Sequence, residues 1–184
     1  WAYTTSELIQ VDGATAIEVF NGIHDTNVYG SKTRPSSEQI WDAILSSGKL
    51  IYGVATDDSH HYHDFTPQMA NPGRGWICVQ AESLSAPSIM DSIKDGDFYA
   101  STGVYLAELD TSANSINISI STDEDDPAKL TEYVTTITGY EGAILHETDS
   151  LHVNYELSKN THYARATIKS SGGFKAWTQP VFKS

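Results

Sequence analysis

The sequence is poor in the residues that would cross-link it. A single cysteine, Cys78, in 184 residues excludes an intrachain disulfide framework and a thiolate zinc cluster. Within Trp76-Ile77-Cys78-Val79 it reads as a small buried hydrophobe. Positive charge is scarce as well: 11 Lys and Arg stand against 24 Asp and Glu, a formal net charge of -13. A surface of that sign repels a phosphate backbone unless cations are concentrated, and the sequence contains no run of them, so nucleic acid is not expected as a partner. No apolar run approaches the roughly 20 residues of a membrane helix, and no charged-then-apolar leader opens the chain. The first residue is Trp1 rather than methionine, so the chain reads as a piece cut from a longer protein. What is left is a globular composition, 39% hydrophobic, with length for one domain or two small ones. A surface rich in Ser and Thr and poor in Lys leans towards an extracytoplasmic location.

Local signals divide the chain in two. Thr4-Thr5-Ser6-Glu7 is a capping box for a short helix that Gly13 closes. A strand is expected from Ala14 to Phe20. Ser36 with Gln39 forms a second box, after which Ile40, Trp41, Ile44 and Leu45 recur at helical spacing until Gly48. Leu50 to Ala55 is again strand-like. Both strands are nearly continuous apolar runs, the pattern of parallel strands covered on both faces, so the unit reads βαβ. The stretch from Trp76 to Ala81, a helix with Pro87 near its start and carrying Ile89, Met90 and Ile93, then Gly96 and Phe98-Tyr99-Ala100 repeat the plan. Beyond about Thr102 the period becomes two. Ile116, Ile118 and Ile120 share one face, and Ala164, Ala166 and Ile168 oppose Tyr163, Arg165, Thr167 and Lys169. Turn clusters at Asp123-Glu124-Asp125-Asp126-Pro127 and Ser170-Ser171-Gly172-Gly173 separate about seven short strands. The expected architecture is α/β in residues 1–104 followed by a small antiparallel β-sandwich in residues 105–184.

The densest chemical signal is Asp57-Asp58-Ser59-His60-His61-Tyr62-His63-Asp64, directly after a buried-strand pattern. Residues i and i+2 of an extended segment face one way, so Asp58 and His60 converge on one ion while Asp57 and His61 point elsewhere. A carboxylate with an imidazole suits zinc, manganese or iron rather than calcium. Two ligands do not fill such a site, and the same residues also suit a solvated turn. His24, in a loop after a strand, is a weaker candidate. His146, His152 and His162 read as exposed strand residues, and Trp41, Trp76 and Trp177 as core. The acids Asp123 to Asp126 lack the alternating spacing of a calcium loop and read as a solvated turn.

The string Ala16-Ile17-Glu18-Val19-Phe20-Asn21-Gly22, then Trp41-Asp42, then Tyr52 to His61, resembles the C-terminal half of hydrolases of the polymerase-and-histidinol-phosphatase (PHP) superfamily. Asn71-Pro72-Gly73-Arg74-Gly75-Trp76, Gly96 to Val104 and Ala176 to Phe182 extend the resemblance over nearly the whole chain. It implies the C-terminal part of a distorted (β/α)7 barrel followed by a small β-sandwich. It also implies a cluster of divalent metal ions that activates water to hydrolyse phosphoesters or carboxyl esters. Asp58 and His60 match the last metal motif of that family, whereas its His-x-His pair and His-Pro element have no counterpart here. The partners implied are a small-molecule ester or phosphoester and the missing N-terminal half of the same protein. Alone, the chain is expected to be inactive and, as an open half-barrel, to dimerise as a homo-oligomer, swap elements, or persist only with its missing half still bound. In this reading Asp57 and His61 assist catalysis by orienting ligands or passing a proton, with plain loop polarity as the alternative. Arg74 offers its fork to a phosphate or carboxylate oxygen, or else forms a surface ion pair. Glu18 and Asn21 end a barrel-type strand, where both touch the site, Asn21 as a substrate contact, or else take a capping or core-edge role. The competing class is a non-catalytic interaction module whose β-domain recognises a glycan or a protein.

Overall fold

The computed structural model describes residues 3–122 and 131–183, and in it the helices sit where their caps place them. Helix α1 (Thr5–Gln10) opens on Thr4 in a capping box with Glu7, and α2 (Ser37–Ser46) opens on Ser36 with Gln39. Helix α3 (Ala86–Asp95) starts from Ser85, has Pro87 in its first turn, and ends on Gly96 in the left-handed conformation. None of the helices among the described residues is long and apolar enough to cross a membrane.

Strands β1 (Ala16–Asn21) and β2 (Tyr52–Thr56) pair in parallel, with α2 between them in sequence. The remaining strands are β3 (Trp76–Val79), β4 (Phe98–Ser101), β5 (Leu106–Ser112), β6 (Ser115–Ile120), β7 (Tyr133–Thr138) and β8 (Ile144–Thr148). They continue with β9 (His152–Glu156), β10 (Tyr163–Ser170), β11 (Lys175–Thr178) and β12 (Val181–Phe182). A seven-stranded sheet has the order β3-β4-β11-β10-β7-β8, with β12 also on β10, and a three-stranded sheet has the order β5-β6-β9.

The expected part of a (β/α)7 barrel is not formed. Among the described residues one strand pair is parallel, β1 with β2, and the named pairs of the other two sheets are antiparallel. The strand-helix-strand plan at residues 76–101 belongs to a different topology. Here β3 and β4 pair directly, Trp76 opposite Ser101 and Val79 opposite Phe98, and α3 buries no residue. Nor are β1 and β2 covered on both faces: Ala16 and Glu18 are exposed while Val19 and Asn21 are buried. The chain is mainly β, and two of its sheets share one core, as in a sandwich. The acidic turn Asp123 to Pro127 lies outside the described residues.

Strand β10 shows how the layers are joined. Its alternation sends Ala164, Ala166 and Ile168 to a core shared with Ile116, Ile118 and Val153 of the three-stranded sheet. Its other face meets α2, where Tyr163 joins Trp41, Ile44, Leu45 and Trp177 in a second core. Arg165 is buried on that face. Its Nε and Nη2 donate to the two oxygens of Asp42 at 2.7 and 2.8 Å, and its guanidinium lies 4.6 Å from the Trp41 ring centre. The Tyr163 hydroxyl donates to the same carboxylate at 3.1 Å. Beside them Glu38 accepts from Lys175 at 2.5 Å. Burial pushes the Glu38 carboxyl up, but Lys175 and then Arg165 outweigh it and hold the group below the usual carboxylate value. The buried charges are therefore paired across α2 and the sheet, the arrangement that makes their burial tolerable. Trp41 and Trp177 are core as expected, whereas Trp76 is half-buried against Tyr105 at 6.0 Å and Cys78 is half-buried beside the first core.

Candidate functional site

Strands β1 and β2 end together, with Asn21 opposite Thr56, and a segment without helix or strand runs from Asp57 to Gly75. Gly22 fits because it has no side chain: a Cβ there would lie 2.8 Å from Arg74 Cβ and 2.9 Å from the Asp57 carbonyl oxygen. The segment is closed by three side chains. Asp57 Oδ1 accepts the backbone N–H groups of Arg74 at 2.5 Å and Gly75 at 2.8 Å. Buried Asn71 donates to the carbonyls of His61 and Asp64, both at 2.9 Å, and accepts from Thr66 N–H at 3.2 Å. The Arg74 guanidinium donates to the Gly22 carbonyl and His24 Nδ1, each at 3.1 Å, to the Thr66 and Pro67 carbonyls at 3.2 and 3.4 Å, and to the Met69 carbonyl. Arg74 thus ties the loop to the end of β1, a role that neither sequence reading named.

Above this base stand Asp58 and His60. Asp58 has φ 50°, a left-handed backbone that aspartate tolerates better than most residues. Its Oδ2 accepts from Asn21 Nδ2 at 3.2 Å, and the same nitrogen donates to Glu18 Oε2 at 3.1 Å. The other Glu18 oxygen takes the Thr56 hydroxyl, and Asn21 Oδ1 accepts Ile23 N–H at 2.9 Å. Asn21 is therefore a buried bridge between two exposed carboxylates. His60 Nδ1 lies 2.6 Å from the Asp58 backbone carbonyl, so the neutral ring donates from Nδ1 and keeps its lone pair on Nε2. The same Nδ1 is 3.8 Å from Asp58 Oδ1, with both side chains largely open to solvent. His61 is turned the other way: its Nδ1 accepts Ala70 N–H at 3.2 Å, which leaves the proton of the neutral ring on Nε2.

Of the residues picked from sequence, Asp58, His60 and Asn21 come together, with Glu18 beside them. Asp57 and Arg74 lie beneath as loop anchors, and His61 faces Ala70. His24 reaches Arg74, while His146, His152 and His162 are exposed on the β-rich part. Asn71 and Thr56 were not picked. The signal for Asn71 was its place before Pro72, where an asparagine side chain commonly organises a turn. A carboxylate and an imidazole are a fitting donor pair for a transition metal. Among the described residues no group of three or more His, Cys, Asp or Glu is placed to hold an ion. The pair is then at most part of a ligand set. The chain matches no family model, no curated protein and no solved structure.

Proposed function

We propose that Asp58 and His60 are part of a divalent-metal centre in a hydrolase of phosphoesters or carboxyl esters, with the remaining ligands supplied by polypeptide outside these 184 residues. The observation that supports this reading is the orientation of His60. Its Nδ1 on the Asp58 carbonyl leaves the lone pair of the neutral ring on Nε2, in a largely exposed side chain close to the Asp58 carboxylate, and a hydrogen bond from the other ring nitrogen is how a histidine ligand is commonly prepared. Bound there, a zinc, manganese or iron ion would acidify water and polarise the ester oxygen. The chain's own residues position and donate. Asn21 holds the Asp58 carboxylate, Asp57 and Arg74 fix the segment that carries both ligands, and His61 presents an Nε2 proton. Glu18, steadied by Asn21 and Thr56, stands ready to accept one.

The test is a titration of the chain with manganese or zinc, followed by assays with a phosphodiester, a phosphomonoester and a carboxyl ester. Weak saturable binding is expected, lost in the Asp58→Ala, His60→Ala double variant, with turnover appearing when the upstream segment of the protein is added. Unchanged metal binding in the double variant would end the reading. A second reading, a binding module without chemistry, is favoured by the count of two ligands among the described residues. It predicts no turnover with or without the upstream segment.

A further inference from the structure

At the far end of α2 the chain reverses its own charge balance. A cavity of about 690 Å³ lies between the last turn of α2, the turn at residues 158–162 and strand β12. Its lining includes Lys159, His162 and Lys183 and no carboxylate, in a chain with 24 acidic residues and 11 Lys and Arg. Lys159 and Lys183 are far apart in sequence, which is why no basic run announced them. Several other cations are engaged: Arg165 with Asp42, Lys175 with Glu38, Lys94 with Asp91, Lys49 on carbonyls at the end of α1, and Arg74 on carbonyls of the loop it closes. Lys183 Nζ gives one hydrogen bond to the Leu157 carbonyl at 2.6 Å, and an ammonium has three protons to give. Lys159 is exposed in the 158–162 turn. The floor is apolar, made by buried Leu45 and by Phe182, whose ring lies 5.8 Å from that of Tyr163.

We propose that this cavity binds a small organic oxyanion, a phosphate or carboxylate group carried on a flat apolar body. The anionic group meets Lys159, Lys183 and the Asn160 side chain at the rim, and the body lies over Phe182 and Leu45. The competing role for the lysines is to complement the carbonyl end of α2. That end carries only about half a negative charge, and two ammonium groups exceed it. The cavity is also much larger than a lone phosphate needs, which favours a ligand with an organic part. The site is separate from Asp58 and His60 and does not depend on their role.

The experiment uses phenylphosphonate, whose P–C bond a phosphoesterase does not cleave, with benzyl alcohol as the uncharged control. The full chain is titrated at low salt while its amide resonances are followed. Saturable shifts are expected at residues 159–162 and 182–183, weakened about tenfold in Lys159→Gln and further in the Lys159→Gln, Lys183→Gln double variant. Lys94→Gln, on α3, should bind as the parent does. Lys159 is exposed, and a melting curve of Lys159→Gln matching the parent's separates loss of binding from unfolding. Benzoate binding at the same residues would extend the site to carboxylates, and phenylphosphonate alone would restrict it to phosphate-like groups. Absence of saturable shifts, shifts unchanged in the double variant, or equal binding of benzyl alcohol would overturn the proposal.

Discussion

At the scale of single residues, Asp58 combines a backbone role and a side-chain role that one substitution separates. Its left-handed φ of 50° disfavours most side chains by roughly 1–2 kcal/mol, and asparagine is as tolerant of that region as aspartate. Asp58→Asn also keeps a carbonyl oxygen for the Asn21 amide. The melting temperature should therefore stay close to that of the parent while metal binding falls, read by thermal melts and manganese titration on the same samples. A large drop in stability would instead make the charge itself structural. Two buried tyrosines contribute to the alkaline side of the stability profile. Burial, and then the Cys78 thiol, push the Tyr99 hydroxyl up to about 12, and burial followed by Asp42 pushes Tyr163 up as well. Because the folded values lie above the unfolded value of 10.0, the unfolded chain ionises first. Their stabilisation is complete below that pH and is lost as pH rises from 10.0 through about 12 for Tyr99. Tyr99→Phe should be less stable at neutral pH, since Leu106 N–H loses its acceptor, yet show a shallower decline across that alkaline window.

The elements differ in how local their causes are. Each helix is legible because its cap lies within a few residues of it, as with Ser36 and Gln39 or Ser85 and Pro87. The segment from Asp57 to Gly75 is not, because what closes it is long-range: Arg74 reaches back to Gly22, and Asp57 reaches forward to Arg74 and Gly75. The i and i+2 argument for Asp58 and His60 assumed a continuing strand. The structure brings the pair together differently, through a left-handed turn at Asp58 and a ring-to-carbonyl bond. These anchors give a concrete expectation for the loop. Asp57→Ala removes one charged acceptor from two backbone donors, a local loss of about 2 kcal/mol. Hydrogen exchange at the Arg74 and Gly75 amides should accelerate by roughly 30-fold, with little change in the core of β10. If those amides keep their protection, other contacts close the loop and Asp57 is free for another task.

For the whole molecule, the sequence periods revealed strands and faces but not pairing direction. The period of two in β6 and β10 was visible, and so was the strand-helix-strand order around α2. The same order around α3 suggested another parallel unit, whereas β3 and β4 close on each other antiparallel and continue into β11. Nothing in a short apolar strand states which neighbour it will take. The alternation in β10 also concealed its main consequence: the face carrying Tyr163, Arg165 and Thr167 is covered, because α2 brings Asp42 and Glu38 to meet it. One sheet therefore serves two cores, and they should fail together. Asp42→Ala leaves the Arg165 guanidinium buried without its carboxylate partner, a loss of about 3–5 kcal/mol. That cost falls on β10, the strand whose opposite face supplies Ala164, Ala166 and Ile168 to the core of the three-stranded sheet. Hydrogen exchange should accordingly speed up by a similar factor at Ile44 in α2 and at Ile118 in β6, although Ile118 is on the other side of the sheet. A single thermal transition should persist at a lower temperature. If Ile118 keeps the parent's protection while Ile44 loses its own, the two cores unfold independently and β10 does not couple them.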